Sequence, residues 1–257
     1  MTTKKIETSI ASHLRDTFRY VAQKSGLQVV SQGSFVTITS SCPEIGVHYV
    51  LGVGVPETVA DYEKRIDPFL HPRKLPAVWF SGPYTESLGR DLEERGLAHV
   101  GPLAGLYLDL AKYAPSSVDI EIIPVTTEEL FQKWCYIHAR TWNKSYEVTD
   151  LFFKGLNPTS NSDGRCFLFL AKFQDLFVGC SLLDIQGKQG GCYWDCVLPE
   201  YRNRGIGTAM IHRRVKVAHE RGCTSVVAQC LNSSLPLYLK AGFKKYSDMA
   251  LFRLVNP

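Results

Sequence analysis

Residues 197–209 read VLPEYRNRGIGTA, a pattern typical of a strand that ends near a proline, a glycine-containing turn and the start of an amphipathic helix. The first N–H groups of a helix have no partner within the helix, and the helix dipole favours negative charge beside them. Gly205 and Gly207 would let the backbone approach a phosphate without an intervening Cβ, and Arg202 and Arg204 add positive charge at the rim. The stretch therefore predicts a cradle for an anion such as a pyrophosphate.

The order of residues in this turn distinguishes it from two common phosphate loops. It is not G-x-x-x-x-G-K-[ST], and it lacks the first glycine and the later acidic residue of the dinucleotide-binding pattern G-x-G-x-x-G. It does fit [Q/R]-x-x-G-x-[G/A], from Arg202 to Gly207. Here the sequence resembles the GCN5-related N-acetyltransferase (GNAT) family, in which that loop binds the pyrophosphate of acetyl-CoA.

A second motif strengthens the resemblance. Residues 231–243 read LNSSLPLYLKAGF and resemble the family's following strand end, short helix and Y-x-x-x-G-F pattern. A long predicted helix and one predicted strand separate the two motifs, as they do in the family. The resemblance covers roughly Ile120–Leu254, and it implies a GNAT fold with a mixed sheet in that half.

The resemblance implies acetyl-CoA as the co-substrate and a set of residues that bind it. The backbone of Val197 and Leu198, at the end of a strand that splays from its neighbour, would pair with the pantetheine arm and polarise the thioester carbonyl. Asn232 would hydrogen-bond the same arm, although its interval to Tyr238 is one residue shorter than the commonest family spacing. The alternatives are an ordinary strand and a plain helix start. The implied cofactor-binding residues are Val197, Leu198, Arg202, Asn203, Arg204, Gly205, Ile206, Gly207, Thr208, Ala209, Asn232 and Tyr238.

Two side chains are predicted to carry the proton transfers. Tyr238, which the family's pattern places at the cofactor sulfur, is the predicted general acid, because a phenol with a pKa of about 10 suits a leaving thiol of about 8.5. An amine is protonated at neutral pH, so Asp195 or a chain of ordered water must accept a proton. If the strand is regular, Asp195 shares a face with Tyr193 and Val197, whereas a bulge would alter this. A core aromatic and a surface ion pair are the alternatives for Tyr238 and Asp195.

Other polar side chains near these motifs have weaker assignments. Four residues of the predicted helical region could line an acceptor pocket, although core and surface positions are the simpler interpretation. Three cations of the long helix would form a solvated face or reach the 3′-phosphate of CoA. The first set is His138, Arg140, Trp142 and Tyr146, and the second is Arg213, Arg214 and Lys216.

The chain divides into two predicted α/β domains, 1–115 and 119–257, because AKYAPSSV near residues 111–118 interrupts the pattern. The first half predicts a helix ended by Gly26, three short strands, a helix after Pro56, a strand, a helix over 87–95 and two closing strands. It resembles a degenerate, smaller domain of the same family, as in tandem members, without a cofactor loop. The second half ends in a predicted strand pair over 243–254.

Composition and charge exclude several classes of protein. The 257 residues are 45% hydrophobic and 21% charged, which describes a soluble globular chain, and no apolar run approaches the ~18 residues that cross a bilayer. The 8 cysteines show no zinc spacing, so we expect reduced thiols, no metal and a cytoplasmic location. Residues 1–115 carry 12 basic and 12 acidic side chains and the rest carry 17 and 13, so the net charge of +4 lies in the second half. We expect neither nucleic-acid nor membrane binding.

The resulting hypothesis is an acyltransferase that moves acetyl from acetyl-CoA to a primary amine by direct attack in a ternary complex. The alternative is a catalytically inactive CoA-binding or scaffolding module. The sequence leaves open the acceptor, which is a small-molecule or peptide amine, the length of the acyl chain and whether the chain forms a homodimer.

Overall fold

A computed structural model describes residues 2–33, 35–44, 46–53, 78–82, 90, 93–94, 97–114, 119–159 and 163–254. The predicted helix after residue 56 lies outside these residues, as does most of the helix predicted over 87–95. None of the helices in the described ranges is long and apolar enough to span a membrane. The helices with described bounds are α1 (Thr3–Lys24), α2 (Glu128–Trp142), α3 (Tyr146–Phe153), α4 (Ile206–Glu220) and α5 (Leu235–Lys240).

The described strands form one mixed sheet, which confirms the predicted α/β class. Its order is β1-β2-β3-β4-β11-β5-β10-β9-β8-β7-β6. Neighbouring strands are antiparallel except for the parallel pairs β3–β4 and β9–β10. The strands are β1 (Gln28–Gln32), β2 (Phe35–Thr39), β3 (Tyr49–Val53), β4 (Val78–Gly82), β5 (Leu97–Asp109), β6 (Glu121–Pro124), β7 (Cys166–Phe173), β8 (Leu176–Gln186), β9 (Gln189–Val197), β10 (Ser225–Leu231) and β11 (Lys244–Leu254).

The sheet continues across the boundary between the two halves of the sequence. β5, from the first half, lies between β10 and β11 of the second half, and β11 in turn pairs with β4. Gly105 of β5 stands between Gln229 of β10 and Ser247 of β11. Each half therefore contributes a strand to the other, so the backbone hydrogen bonds of the second half include partners from residues 97–109.

Two predicted strand pairs are single long strands, which corrects the sequence interpretation. The strands predicted near residues 98 and 106 are both part of β5, and the pair predicted over 243–254 is β11 alone. Gly101 and Pro102 lie within β5, where Pro102 pairs with Ala250 and the ladder continues. β11 absorbs its irregular positions as register shifts rather than as a turn.

The helices are distributed over both faces of the sheet. α1, α2 and α3 cover one face, where Phe18, Trp134 and Phe152 are buried in one large apolar cluster. α4 and α5 cover the other face, where Val215 and Tyr238 are buried in a second cluster. A strand between these layers directs alternate side chains into two different environments.

β9 does not follow that alternation throughout, because it carries a bulge. Its ladder with β8 slips by one residue, so that Trp194 and Asp195 together occupy the position of a single residue. Trp194 has a φ of 51°, in the left-handed region. Tyr193 therefore points to the α1 side, whereas Asp195 and Val197 point to the α4 side. The expectation that these three residues share a face is wrong for Tyr193, because it assumed a regular strand.

Candidate active site

The turn before α4 has a backbone suited to an anion. Gly205 is the N-cap with a φ of 81°, and Asn203 has a φ of 59°. No side chain caps the N-terminus of α4 by a hydrogen bond. The first N–H groups of α4 are therefore available to a ligand, and the dipole of a 15-residue helix favours negative charge at that point.

Gly207 has a structural role that the sequence did not reveal. Its φ is not in the left-handed region, but an added Cβ would lie 2.9 Å from Cδ2 of Leu237. The missing side chain thus allows α5 to pack closely against the first turn of α4. Tyr238 directly follows Leu237, the residue that makes this contact with the first turn of α4.

β9 and β10 part just before this loop. Their parallel pairing begins at Gln189 and Ser225 and ends at Cys192 and Ala228, although both strands continue beyond those residues. The remaining edge of β9 faces a gap rather than a neighbouring strand. Backbone groups along such an edge need other partners, which makes the gap suitable for an extended ligand.

The backbone at the end of β9 points into the gap. Leu198 donates its N–H to the carbonyl of Val178 on β8, at 2.9 Å. Because hydrogen-bonding direction alternates along an antiparallel strand, Val197 directs its N–H and C=O away from β8 and towards β10. Nε of Arg202 donates to the carbonyl of Val197 at 3.1 Å, so the side chain of Arg202 closes one end of the gap.

The α4 side of the gap holds three connected polar side chains. Tyr238 is 2% exposed, and its hydroxyl donates to Oδ2 of Asp195. Oδ1 of Asp195 accepts from Nη2 of Arg214, whose side chain is completely buried. The side chain of Asp195 is 30% exposed. The two predicted catalytic residues are therefore in direct contact with each other.

Burial and charge set the protonation state of this group. Burial raises the pKa of Tyr238 well above its ordinary value, and the Asp195 carboxylate raises it further. Burial opposes the charged form of Arg214, but Asp195 outweighs that effect, so the pKa of Arg214 lies above its ordinary value. Tyr238 thus keeps its proton and Arg214 its positive charge.

Arg214 was misplaced by the sequence interpretation. It was expected on a solvated face with Arg213 and Lys216, but only Lys216 is exposed and Arg213 is half-buried over the ring of Phe169. The signal was present in the sequence, because Arg214 lies four residues after Met210 on the buried face of the helix. An Arg on the apolar face of a helix predicts a buried carboxylate partner.

The remaining predicted residues lie at the edges of the site. Ile206 and Ala209 are buried, Asn232 is exposed directly after β10, and Arg204 lies 5.5 Å from the ring centre of Phe173. Thr208 is half-buried in the first turn of α4. These positions surround the anion cradle without contributing a further side-chain contact to Tyr238.

The four candidate acceptor residues lie in different environments. His138 is buried and stacked on Trp134, and burial lowers its pKa well below the ordinary value. Arg140 pairs with Glu200 at 2.8 Å, and Tyr146 is 36% exposed. Trp142 is 47% exposed and donates its indole N–H to Sγ of Cys196 at 3.1 Å. Trp142 and Tyr146 therefore remain as partly accessible aromatic side chains, and Trp142 lies beside the end of β9.

A second polar network, on the α1 side of β9, was not predicted. Nδ1 of His13 lies 2.8 Å from the hydroxyl of Tyr193. One turn along α1, Thr17 donates to Asp184 at 2.6 Å, and Nε of Arg165 donates to the same carboxylate at 2.7 Å. This network links α1 to β8 and β9 of the second half.

Two overall features of the described residues bear on cofactor chemistry. No three His, Cys, Asp or Glu side chains come together there in a group that could hold a metal ion. No disulfide joins any of the 8 cysteines. The polar groups described around the gap are a helix N-terminus, strand backbone and the connected side chains of Tyr238, Asp195 and Arg214.

This arrangement defines a class of protein. A phosphate loop at the start of a helix, next to a splayed pair of parallel strands, is the GNAT fold expected from the sequence, and residues 128–243 match the Acetyltransferase (GNAT) family. Residues 128–243 thus carry the family's sequence pattern, and the predicted GNAT fold is confirmed.

Particular relatives give the likeness its detail. The chain is 34% identical over 76 residues to glucosamine 6-phosphate N-acetyltransferase of Trypanosoma brucei brucei, a match that covers 27% of this chain and 52% of the relative. The chain thus spans about half the length of that curated relative. Two solved structures share the fold at 14% identity. A GCN5-related N-acetyltransferase from Kribbella flavida has a TM-score of 0.69 with 98% and 95% of the two chains covered, and a tandem GNAT protein from the clavulanic acid biosynthesis pathway has 0.54 with 88% and 80%.

Proposed function

We propose that this protein transfers acetyl from acetyl-CoA to a primary amine of a small molecule or peptide, by direct attack in a ternary complex. The observation that carries the proposal is the hydrogen bond from Tyr238 to Asp195, on the end of β9 that no longer pairs with β10. The neighbouring Leu237 approaches Gly207 in the uncapped first turn of α4. The residues fit the co-substrate, because the helix start suits its phosphates and the strand edge suits its extended amide-containing arm.

Each part of the site has a separate task in this proposal. The loop from Arg202 to Ala209 holds the pyrophosphate, and the N–H of Val197 donates to the thioester carbonyl. When bound, acetyl-CoA supplies an acetyl group activated as a thioester. Tyr238 gives its proton to the sulfur as the carbon–sulfur bond breaks, and it regains a proton from water.

The second proton transfer in this proposal is from the amine. The amine must lose a proton, and Asp195 or a chain of ordered water is the candidate acceptor. Both oxygens of Asp195 already accept hydrogen bonds from neighbouring side chains. This arrangement favours water-mediated proton loss, with Asp195 acting mainly on Tyr238.

The wider assignments belong to the same proposal. Residues 1–115 are a degenerate GNAT-like domain and residues 119–257 are the catalytic domain, which the likeness to a tandem GNAT protein supports. The absence of disulfides among the 8 cysteines supports a reducing compartment such as the cytoplasm. Glucosamine 6-phosphate, named by the curated relative, is the first acceptor to assay, and a homodimer is open to test by sedimentation.

The cofactor site is tested by calorimetric titration with acetyl-CoA, using NAD and ATP as controls. Gly205→Glu should abolish binding, because it places a side chain and a negative charge in the cradle at a φ of 81°. Gly222→Glu is the matched control, since Gly222 has a φ of 80° after the other end of α4. We expect a Kd of about 1 μM, or about −8 kcal/mol, for the wild type and for Gly222→Glu.

Other binding results would reject the proposed site. Binding of ATP or NAD in place of acetyl-CoA would make the turn a generic anion site. Equal loss of binding in both glycine variants would attribute the effect to helix destabilisation. If the wild type binds none of the three ligands, the scaffolding alternative replaces the enzyme.

The acid is tested by Tyr238→Phe, with Tyr193→Phe as the matched control. Both hydroxyls are buried and bonded to a polar network, but only Tyr238 lies on the side of the phosphate loop. Tyr238→Phe should lower kcat about 10²- to 10⁴-fold while acetyl-CoA still binds. Tyr193→Phe should reduce stability by about 1–3 kcal/mol and leave kcat within threefold. Full turnover in Tyr238→Phe would assign the acid role to water.

A further inference from the structure

Arg214 is held in one position by three different elements. Its Nε donates to the carbonyl of Met210 at 3.1 Å, within α4. Its Nη1 donates to the carbonyl of Leu182 on β8 at 3.3 Å, and its Nη2 donates to Asp195 on β9. Because all three groups of the planar guanidinium are engaged in a fully buried site, the position of its charge is fixed.

Asp195 reaches this cation only because of the bulge in β9. Without the extra residue at Trp194, the strand alternation would place Asp195 and Tyr193 on one face, over α1. With it, Asp195 lies on the same side as Tyr238 and the phosphate loop. Bulges are common beside active sites because they redirect one side chain without breaking the sheet.

The two carboxylate oxygens of Asp195 are divided between two donors. Oδ1 accepts from Arg214 and Oδ2 accepts from the Tyr238 hydroxyl. Tyr238 therefore has a partner that fixes the direction of its hydroxyl, and that partner is itself fixed by the buried guanidinium. Charge-assisted hydrogen bonds thus connect Arg214 through Asp195 to the phenol of Tyr238.

We propose that Asp195 and Arg214 are positioning residues for Tyr238: Asp195 holds the phenol and its proton in place until the sulfur leaves, and Arg214 holds Asp195. This inference rests on the proposed function and gives Asp195 a role through Tyr238, instead of contact with the amine. The lone pair of the amine nitrogen forms the new carbon–nitrogen bond, and the carbon–sulfur bond breaks with its electron pair going to sulfur. The O–H bond of Tyr238 breaks, and an S–H bond forms. The tyrosinate then takes a proton from water, and the amine releases its proton to water.

Arg214 has a second effect in this scheme. When Tyr238 loses its proton, a negative charge forms on its oxygen in direct contact with the carboxylate of Asp195. The two negative charges repel each other. The buried guanidinium offsets that repulsion, so the tyrosinate is accessible for the short time of the transfer. Asp195 alone would hold the proton on Tyr238, and Arg214 allows it to leave.

The test is a double-mutant cycle of Asp195→Asn and Tyr238→Phe, measured by single-turnover kinetics. If Asp195 acts through Tyr238, Asp195→Asn alone should slow the transfer about 10- to 100-fold, and it should have no further effect in the Tyr238→Phe background. The KM for acetyl-CoA should stay within about threefold throughout. If Asp195 is the base for the amine, or if its loss only weakens the fold, the rate reductions caused by the two substitutions multiply in the double variant. That result overturns the proposal.

A second measurement needs no acceptor and no turnover. With 3-fluorotyrosine at position 238, ¹⁹F NMR follows the titration of this one phenol. Asp195→Asn should move the titration to lower pH because a negative neighbour is removed, and Arg214→Met should move it to higher pH because a positive neighbour is removed.

These two readouts separate failure of the inference from failure of the proposed function. A wild type that transfers no acetyl group to any amine rejects the function, while the fluorine titration still decides whether Asp195 and Arg214 control Tyr238. An unchanged titration in both variants overturns the inference even if the enzyme is active. If Asp195→Asn does not fold, Arg214→Met carries both measurements, because the partly exposed Asp195 can then be hydrated.

Discussion

Two Arg–Asp pairs lie on opposite faces of the same part of the sheet. Arg214 and Asp195 meet on the α4 face, and Arg165 and Asp184 meet on the α1 face. In each pair one partner is fully buried, and each pair has a tyrosine hydroxyl nearby. They differ in what else the carboxylate contacts and in what lies beyond it.

Asp184 is saturated with protein donors. Its oxygens accept two hydrogen bonds from Arg165, at 2.7 and 2.9 Å, one from Thr17 at 2.6 Å and one from Gln186 at 2.8 Å. Burial acts to raise the pKa of Asp184, but the Arg165 hydrogen bonds outweigh it and the pKa lies below the ordinary value. This pair joins α1 to β8 and has no contact with the gap between β9 and β10.

Asp195, by contrast, is partly exposed and shares its oxygens between one cation and one phenol. The lesson is that a buried ion pair identifies a functional site only through its surroundings. Saturation by donors from two elements indicates a structural joint, whereas a pair that ends on a proton donor beside a strand gap indicates chemistry.

The largest expected effect is on stability, in Asp184→Asn. The substitution replaces one carboxylate oxygen of residue 184 by an NH₂ group, which cannot accept a hydrogen bond. Arg165 and at least one other donor therefore lose a partner. Breaking a buried pair in this way costs about 3–5 kcal/mol, and we expect that loss in urea denaturation followed by circular dichroism. The kcat of the folded fraction should be unchanged.

The contrast between the two Arg–Asp pairs is contradicted if Asp184→Asn lowers kcat more than tenfold while its urea midpoint matches the wild type. That result would place the α1 network in the chemistry and would leave the two pairs functionally alike. Measuring kcat at a temperature well below the unfolding transition of the variant keeps the two effects apart.

The second expected effect is a pH dependence that belongs to the α1 face. Burial lowers the pKa of His13 below its ordinary 6.5, with Asp184 opposing this shift and Arg165 adding to it. The unfolded chain therefore binds a proton at His13 before the folded chain does, so stability is full above pH 6.5 and falls as the pH drops below it. His13→Gln should remove one proton from this dependence, a change in slope of up to about 1.4 kcal/mol per pH unit.

Urea midpoints of the wild type and His13→Gln, measured from pH 7.5 down to pH 5, check this slope. The two curves should converge as the pH falls, because only the wild type loses the contribution of a neutral His13. Parallel curves would mean that His13 binds a proton equally in the folded and unfolded states. The α1 network would then not be the buried structural joint described above.

Much of the fold could be predicted from the sequence because its signals are local. The motif at residues 197–209 and the spacing to Tyr238 predicted the GNAT fold, and the helix and strand patterns of the second half gave its element order. The exchange of β5 and β11 could not be predicted, because which strands pair depends on contacts between residues more than 100 positions apart.

The sequence named candidate site residues, but it did not predict how the structure arranges them. Tyr238 and Asp195 were both candidates, but their direct contact depends on the bulge at Trp194. No residue type in QGGCYWDCV predicts the left-handed φ of Trp194. Arg214 could have been found from its place on the buried face of α4. The sequence could not show that Asp195 of β9 is the partner of Arg214. This partner offsets the free-energy cost of burying the charge of Arg214.

The smallest expected effect comes from a third Arg–carboxylate pair, which lies at the surface. Arg140 of α2 contacts Glu200 at 2.8 Å, and their side chains are 49% and 43% exposed. Water solvates both charges in the folded and unfolded states, so Arg140→Ala should cost only about 0.2–1 kcal/mol, and 0.5 M NaCl should reduce even that difference because salt screens exposed charges. Urea denaturation at low and high salt measures both values. A loss above about 2 kcal/mol, or one that salt leaves unchanged, would show that exposure is not what separates this pair from the two buried ones, and the ranking of the three pairs by burial would have to be abandoned.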